Sequence, residues 1–174
     1  MTEAASAGSP PATDRSGGRR TGSIRLVLAG MALVLAATDL GLKAWAQQSL
    51  GGGRTVDLGV IDLQLAYNSG AAFSLGAGLP TWLVIAVPGV ITAGVAVFAW
   101  RAAVDARWPV LAGLAAILAG AVANLADRSV DGLVTDYLHT GWWPTFNLAD
   151  VFITVGAATV ALALLRSDTA RARP

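Results

Sequence analysis

Asp39 and Lys43 stand four residues apart inside an otherwise apolar run, and the tetrapeptide Asn-Leu-Ala-Asp occurs twice, at 124–127 and at 147–150. On a helix, residues three or four apart share a face, so Lys43 can pair with Asp39 and each Asn can support the Asp after it. Arg128 adds a cation beside Asp127, and Asp131 and Asp136 lie between the two repeats. Carboxylates among apolar residues are costly and usually functional. The chemistry open to them is narrow. The chain has no cysteine and one histidine, His139, which excludes disulfides, thiolate chemistry and a His-rich zinc site. A Ser-His-Asp triad would rest on that single residue. Only hard, oxygen-preferring ions would suit the remaining ligands. A Ser/Lys dyad would need Lys43, the only lysine, which Asp39 can neutralise. What remains is a pair of carboxylates sharing one proton: one takes a proton from water while the other, kept protonated, polarises a carbonyl. The plainer alternative is a set of structural ion pairs. The rival from another class is a non-enzymatic ion-transport or assembly protein.

The elements that must hold these groups read as membrane spans. Apolar residues make up 55% of the 174-residue chain and charged ones 13%, about half the usual share of charge in a soluble domain. The acids and bases nearly cancel, leaving no basic surface for nucleic acid. Residues 79–100 and 108–126 carry no charge, 147–165 carry only Asp150, and 24–46 carry Arg25, Asp39 and Lys43. About 20 residues of helix cross a bilayer core, and a span must satisfy its own backbone, so four helices are expected, the second kinked at Pro88. Arg15, Arg19, Arg20, Arg25, Arg101, Arg107, Arg166, Arg171 and Arg173 fall on one side of those spans, and Lys43, Arg54 and Arg128 on the other. That bias puts both termini in the cytoplasm and residues 47–78 and 127–146 outside. Residues 1–23 read as a disordered cytoplasmic tail, 24–166 as the membrane domain, and 167–174 as a second tail. A cleavage site at Ala44-Trp45-Ala46 would make the first span a signal peptide. Asp39, Lys43 and the three later spans argue against it.

Asp39 lies about 22 Å along a helix from Ile24, so every unusual polar group falls in one layer near the outer surface. A relay across the bilayer would spread them out. Between the first two spans, Val56, Leu58 and Val60 alternate with Asp57 and Asp62, which predicts short β-strands at the membrane surface. Gly51-Gly52-Gly53 gives that region freedom to move. Trp142-Trp143 read as interface anchors, His139 as solvated, and Asn68 either as a turn residue before Gly70 or as a site residue.

Four motifs then stand in order between the apolar runs: Asn68-Ser69-Gly70-Ala71-Ala72-Phe73, Ala119-Gly120-Ala121-Val122-Ala123-Asn124-Leu125-Ala126-Asp127-Arg128, Val134-Thr135-Asp136-Tyr137, and Phe146-Asn147-Leu148-Ala149-Asp150 with Gly156 beyond. Together they resemble the lipoprotein signal peptidases (signal peptidase II), bacterial membrane aspartyl peptidases, over about residues 24–165. The resemblance implies an all-α integral membrane protein of the bacterial plasma membrane, with four transmembrane helices and a small β-sheet region on the outer face. It implies removal of the signal peptide from diacylglyceryl-modified prolipoproteins just before the lipidated cysteine, with no metal or other cofactor. Its partners would be those precursors and membrane lipids. The family's catalytic aspartates fall on Asp136 and Asp150, its supporting polar residues on Asn68, Asn124, Asp127, Arg128 and Asn147, and its helix 1 pair on Asp39 and Lys43. The chain departs from the family pattern in Ala119 and Ala123 for Gly, Tyr137 for Phe, Leu40 and Leu42 for polar neighbours of Asp39, and a short connection from Asp136 to Asp150.

Within that frame, Arg128 is expected to sit by Asp127 and Asp131 to be solvated. Asp150, at a helix N-terminus, suits the role of carboxylate, with Asp136 as the acid. The Asp39–Lys43 pair is expected to hold helix 1 against the site, so that exchanging the two charges restores part of what either single change loses. The orientation has its own test. Cysteine placed at Ser49 or Thr140 should react with a membrane-impermeant maleimide in intact cells, and cysteine at Ser16 or Ser167 should not.

Overall fold

Four long helices account for most of the chain: α1 (Arg15–Ser49), α2 (Thr81–Ala102), α3 (Trp108–Asp131) and α4 (Leu148–Arg171). Each contains a stretch long and apolar enough to cross a membrane. The structure, a computed structural model, describes residues 15–70 and 80–171. Residues 1–14 of the expected N-terminal tail, 71–73 of the first motif, and 172–174 lie outside the described residues. Residues 15–23, expected as disordered tail, instead continue α1, and α4 runs past 167 to Arg171. Once the apolar turns have formed a helix, adding residues to its end avoids the cost of nucleation. α3 likewise continues beyond residue 126. It stops at Gly132, whose φ of 87° and N–H bond to the Arg128 carbonyl form a left-handed cap. Asp127 and Arg128 therefore sit in the last turns of a helix.

Three strands lie between the helices: β1 (Thr55–Asp57) and β2 (Asp62–Asn68) after α1, and β3 (Val134–His139) after α3. They form one antiparallel sheet in the order β1-β2-β3. The alternation between residues 56 and 66 thus yields the first two strands. The third comes from a stretch the sequence marks only as extended. β3 is buried from Val134 to Tyr137, and its pairing with β2 shifts register between Leu63 and Ala66. Such an irregularity re-aims neighbouring side chains, and it falls opposite the Asp136 end of β3. The sheet rests on the end of α1, where Ala46 and Leu50 pack against Tyr137 with Leu63, Leu138 and Leu148 around them.

α3 is the central helix, packed against α1, α2 and α4. Its contact faces are made of small residues. Ala119 and Ala123 meet Ala32 and Ala36 of α1 and Ala149 of α4, so the two alanines that replace family glycines are accommodated in this cluster. Against α4 there is no such room. A Cβ on Gly113 would lie 2.8 Å from the Gly156 carbonyl oxygen, one on Gly156 would lie 2.7 Å from the Gly113 carbonyl oxygen, and one on Gly120 would overlap the Ala149 carbonyl oxygen. In lipid, where apolar burial drives helices together weakly, small residues of this kind allow the backbones to approach. Gly120→Val should therefore cost about 1–3 kcal/mol of overpacking and lower the unfolding temperature in detergent. Gly94→Val, where nothing stands within 4 Å of an added Cβ, should not.

Candidate active site

The polar layer is organised around one ammonium group. Lys43 Nζ lies 2.9 Å from Asp39 Oδ2, one turn earlier on α1, and both side chains are almost wholly buried. The same nitrogen donates to Asn124 Oδ1 at 2.6 Å and stands 3.3 Å from Asp127 Oδ2. A lysine has three N–H donors, and three partners from α1 and α3 surround this one. Asn124 passes the contact on, its Nδ2 donating to Asp150 Oδ1 at 2.9 Å. Asp39 Oδ1 accepts from the Ala149 N–H at 2.9 Å, one of the first-turn donors that a helix leaves unpaired.

Asn147 is the residue just before α4 and is fully buried. Its Oδ1 accepts from the Asp150 N–H at 3.1 Å, while its own N–H donates to Asp150 Oδ2 at 3.2 Å. This is a reciprocal capping arrangement. Its Nδ2 is left free and donates to Asp136 Oδ1 at 2.7 Å. Asn147 therefore touches both carboxylates, one on β3 and one on α4. Asp136 is buried, and burial pushes its carboxyl up to about 6. Hydrogen bonding from Asn147 opposes that rise, the Asp150 charge adds to it, and hydrogen bonding from Asn68 opposes it further. Asp150 itself is half-buried.

The remaining expected residues sort into three groups. Asn68, at the end of β2, accepts from the Gly70 N–H at 2.8 Å as a turn residue does, and its side chain also acts on the Asp136 carboxyl. Asp131 is exposed and accepts from the Leu133 N–H, as a solvated turn residue should. His139 is half-buried, 3.4 Å from Thr145 Oγ1. Arg128 makes no direct salt bridge to Asp127, because adjacent residues on a helix point about 100° apart, but its charge acts on Asp127 as expected, and on Asp136 and Asp150 as well. The cation in direct contact with Asp127 is Lys43. Arg128 is buried, its Nε has no hydrogen-bond partner among the described residues, and its guanidinium lies against Gly70. It lines a cavity of about 270 Å³ with Val84, Val87 and Pro88.

Three contributors escaped the sequence reading. Thr135 donates its N–H to Asp127 Oδ2 at 2.7 Å and accepts from Gln47 Nε2 at 2.8 Å. Gln47 stands one turn beyond Lys43, and that spacing is the one signal that marked it. Tyr137 accepts from the Leu148 N–H at 3.2 Å, and burial pushes its phenol up to about 12. The departure from Phe thus supplies a second tie between β3 and the start of α4.

A model of the signal peptidase II family matches residues 31–166. The chain is 38% identical over 150 residues to a lipoprotein signal peptidase of Rhodococcus jostii, spanning 81% of this chain and 73% of that one. It is 35% identical over 153 residues to one of Vibrio parahaemolyticus, spanning 82% and 90%. A bacterial membrane enzyme solved by the in meso method shares the fold, with a TM-score of 0.72 at 23% identity over 84% of this chain and 92% of that one. Four spans, three of them carrying carboxylates, together with these matches define an aspartic peptidase of the bacterial membrane. The chain belongs to the signal peptidase II family.

The geometry also changes one expectation. Asp39 and Lys43 are not an isolated pair, so exchanging their charges sets an ammonium against the Ala149 N–H and a carboxylate against Asp127. The double variant should be no more stable or active than Lys43→Met, which strands buried carboxylates at a cost of about 3–5 kcal/mol. Thermal unfolding and cleavage assays on the three proteins check this, and recovery in the double variant would refute it.

Proposed function

We propose that the chain removes the signal peptide from diacylglyceryl-modified prolipoproteins, cutting the bond just before the lipidated cysteine, with Asp136 and Asp150 as the catalytic pair. The observation that carries the assignment is the contact of Asn147 with both carboxylates, which sit in unlike surroundings. Asp136 is buried with a raised pKa, which favours it as the acid. Asp150 has its two oxygens fixed by Asn124 and the Asn147 N–H, which favours it as the base.

Asp150 takes a proton from a water as that water's oxygen attacks the scissile carbonyl carbon, and Asp136 gives its proton to the carbonyl oxygen. The resulting tetrahedral diol then collapses. The C–N bond breaks, the proton held by Asp150 passes to the leaving nitrogen, and a diol hydroxyl returns a proton to Asp136. Both carboxyls end as they began. Asn68 and the buried, under-used guanidinium of Arg128 bind substrate backbone, with membrane lipids as the surrounding medium. The arginine distribution supports cytoplasmic termini and an outward-facing site, with the precursor entering sideways from the bilayer.

The test is purified enzyme in detergent, a diacylglyceryl-modified prolipoprotein and a gel-shift readout. Asp136→Asn and Asp150→Asn should each lose about 10²–10⁴-fold in rate while retaining helical circular dichroism, and Asp127→Asn should lose activity only by degree. The acid form of Asp136 is populated below its pKa, so kcat/KM should fall as pH rises through about 6. Full turnover by Asp136→Asn, with Asp127→Asn folded but dead, would move the pair to Asp127 and Asp150.

A further inference from the structure

The first N–H groups of α4 have no partners inside the helix, and groups outside it take them. Ala149 donates to Asp39 on α1, and Asp150 donates to the Asn147 side chain. Leu148, the first residue of the helix, donates to Tyr137 Oη at 3.2 Å. Tyr137 also holds the chain just before Asn147. Its backbone N–H donates to the Phe146 carbonyl at 3.0 Å, and Phe146 bridges to Leu138. β3 therefore grips Asn147 from both sides, at residue 146 through the main chain and at residue 148 through the phenol. Neighbouring side chains on a strand point to opposite faces. Asp136 meets the Asn147 amide on one face, while the Tyr137 ring, almost wholly buried against Ala46 and Leu50, reaches Leu148 on the other. A phenylalanine ring would make the same apolar contacts. Only the hydroxyl sets Tyr137 apart, and its bond is to the backbone of α4.

We propose that Tyr137 is a positioning residue for the Asp136–Asp150 pair: its hydroxyl anchors Leu148 and so fixes Asn147, the one residue that must reach both carboxylates at once. The inference rests on the proposed function and adds to that site a residue with no contact to the reacting atoms. Without the hydroxyl, the Leu148 N–H loses its acceptor and residue 147 loosens. The Asn147 N–H that orients Asp150 moves with it, which slows the attack of water. The bond from Asn147 to Asp136 weakens as well. That bond favours the ionised form of Asp136, so its loss lets Asp136 hold its proton to higher pH. Asp150 on α4 acts in the opposite sense, since its charge raises the Asp136 pKa, but the Asn147 bond is the larger of the two effects. The remaining groups that act on Asp136 are Lys43 on α1, Arg128 on α3 and Asn68 on β2. None of these is mounted on α4, so the tie at Leu148 does not place them.

Cleavage of a diacylglyceryl-modified prolipoprotein by purified enzyme in detergent, followed across the limb expected at about pH 6, tests the assignment. Tyr137→Phe keeps the ring and should lower kcat about three- to tenfold, the worth of one hydrogen bond. KM should stay nearly unchanged, and the limb should move to higher pH. Asn147→Ala should move the limb in the same direction and further. Adding Tyr137→Phe to Asn147→Ala should then change the profile no more, because the hydroxyl acts through that amide. If Asn147→Ala fails to fold, the comparison of Tyr137→Phe with wild type still decides. A Tyr137→Phe enzyme with a lower unfolding temperature but unchanged kcat and limb would make the hydroxyl a purely structural group and overturn the inference. Additive effects in the double variant would overturn it too. A wild-type enzyme that leaves the precursor uncut, or Asp136→Asn cutting at the full rate, would instead sink the proposed function. Normal wild-type cleavage with a silent Tyr137→Phe sinks the inference alone.

Discussion

A single lysine ammonium buried among the helices constrains everything around it. An ion removed from water without partners costs several kcal/mol, so every N–H of Lys43 needs an acceptor. The acceptors come from two helices: Asp39 one turn away on α1, and Asn124 and Asp127 on α3. Satisfying the charge therefore sets how far α1 slides along α3. Two of these three acceptors also reach α4. Asn124 turns its amide nitrogen to Asp150, and Asp39 turns its other oxygen to the Ala149 N–H. The position of α4's first turn is thus determined by how the lysine is neutralised.

That chain of contacts has a steric precondition. Asn124 reaches Asp150 at 2.9 Å only because α3 and α4 approach closely at Gly113, Gly120 and Gly156. Backbone proximity and polar satisfaction depend on each other here. The glycines bring two polar helix ends together, and the hydrogen bonds between those ends replace the apolar driving force that lipid does not provide. The alanines at 119 and 123 meet only other alanines, Ala32 and Ala36 of α1 and Ala149 of α4, so a methyl group is tolerated there and not at the three glycines.

The four spans, the polar layer and the first two strands were legible because each has a one-dimensional signature: run length, depth along a helix, or alternation. The repeated Asn-Leu-Ala-Asp was legible as a motif but not as a set of partners. Equal spacing invites the view that each Asn serves its own Asp. In fact Asn124 serves Asp150, and Asn147 sends its amide to Asp136. The reason is position relative to the helix: Asn124 is inside α3, with its side chain projecting sideways, while Asn147 precedes α4 and folds back as a cap. Arg128 was legible as a charge near Asp127, but not its lack of direct contact, since adjacency in sequence is separation around a helix. Lys43 as the partner of Asp39 could be read from i,i+4 spacing, but its hold on Asp127 is tertiary and leaves no local trace. The helical start at Arg15 also lay beyond composition, because a Gly- and Ser-rich stretch is carried by the helix it adjoins.

The unlike surroundings of the two carboxylates follow from where each is mounted. Asp136 is on a buried strand, and burial, which outweighs the opposing hydrogen bonds and the Lys43 charge, makes its carboxyl retain its proton to higher pH. Asp150 is in the first turn of a helix, where backbone N–H groups are available to it by geometry, and the capping exchange with Asn147 uses one of them. Strand against helix terminus is therefore enough to make two identical side chains different. Because Asn147 bonds to both, a shift of α4 relative to β3 would change both environments together. Tyr137, tying β3 to Leu148, resists that shift at the closest available point. In the proposed mechanism the acid and the base are assigned by the fold before any substrate arrives, so the enzyme need only bring the peptide bond to them.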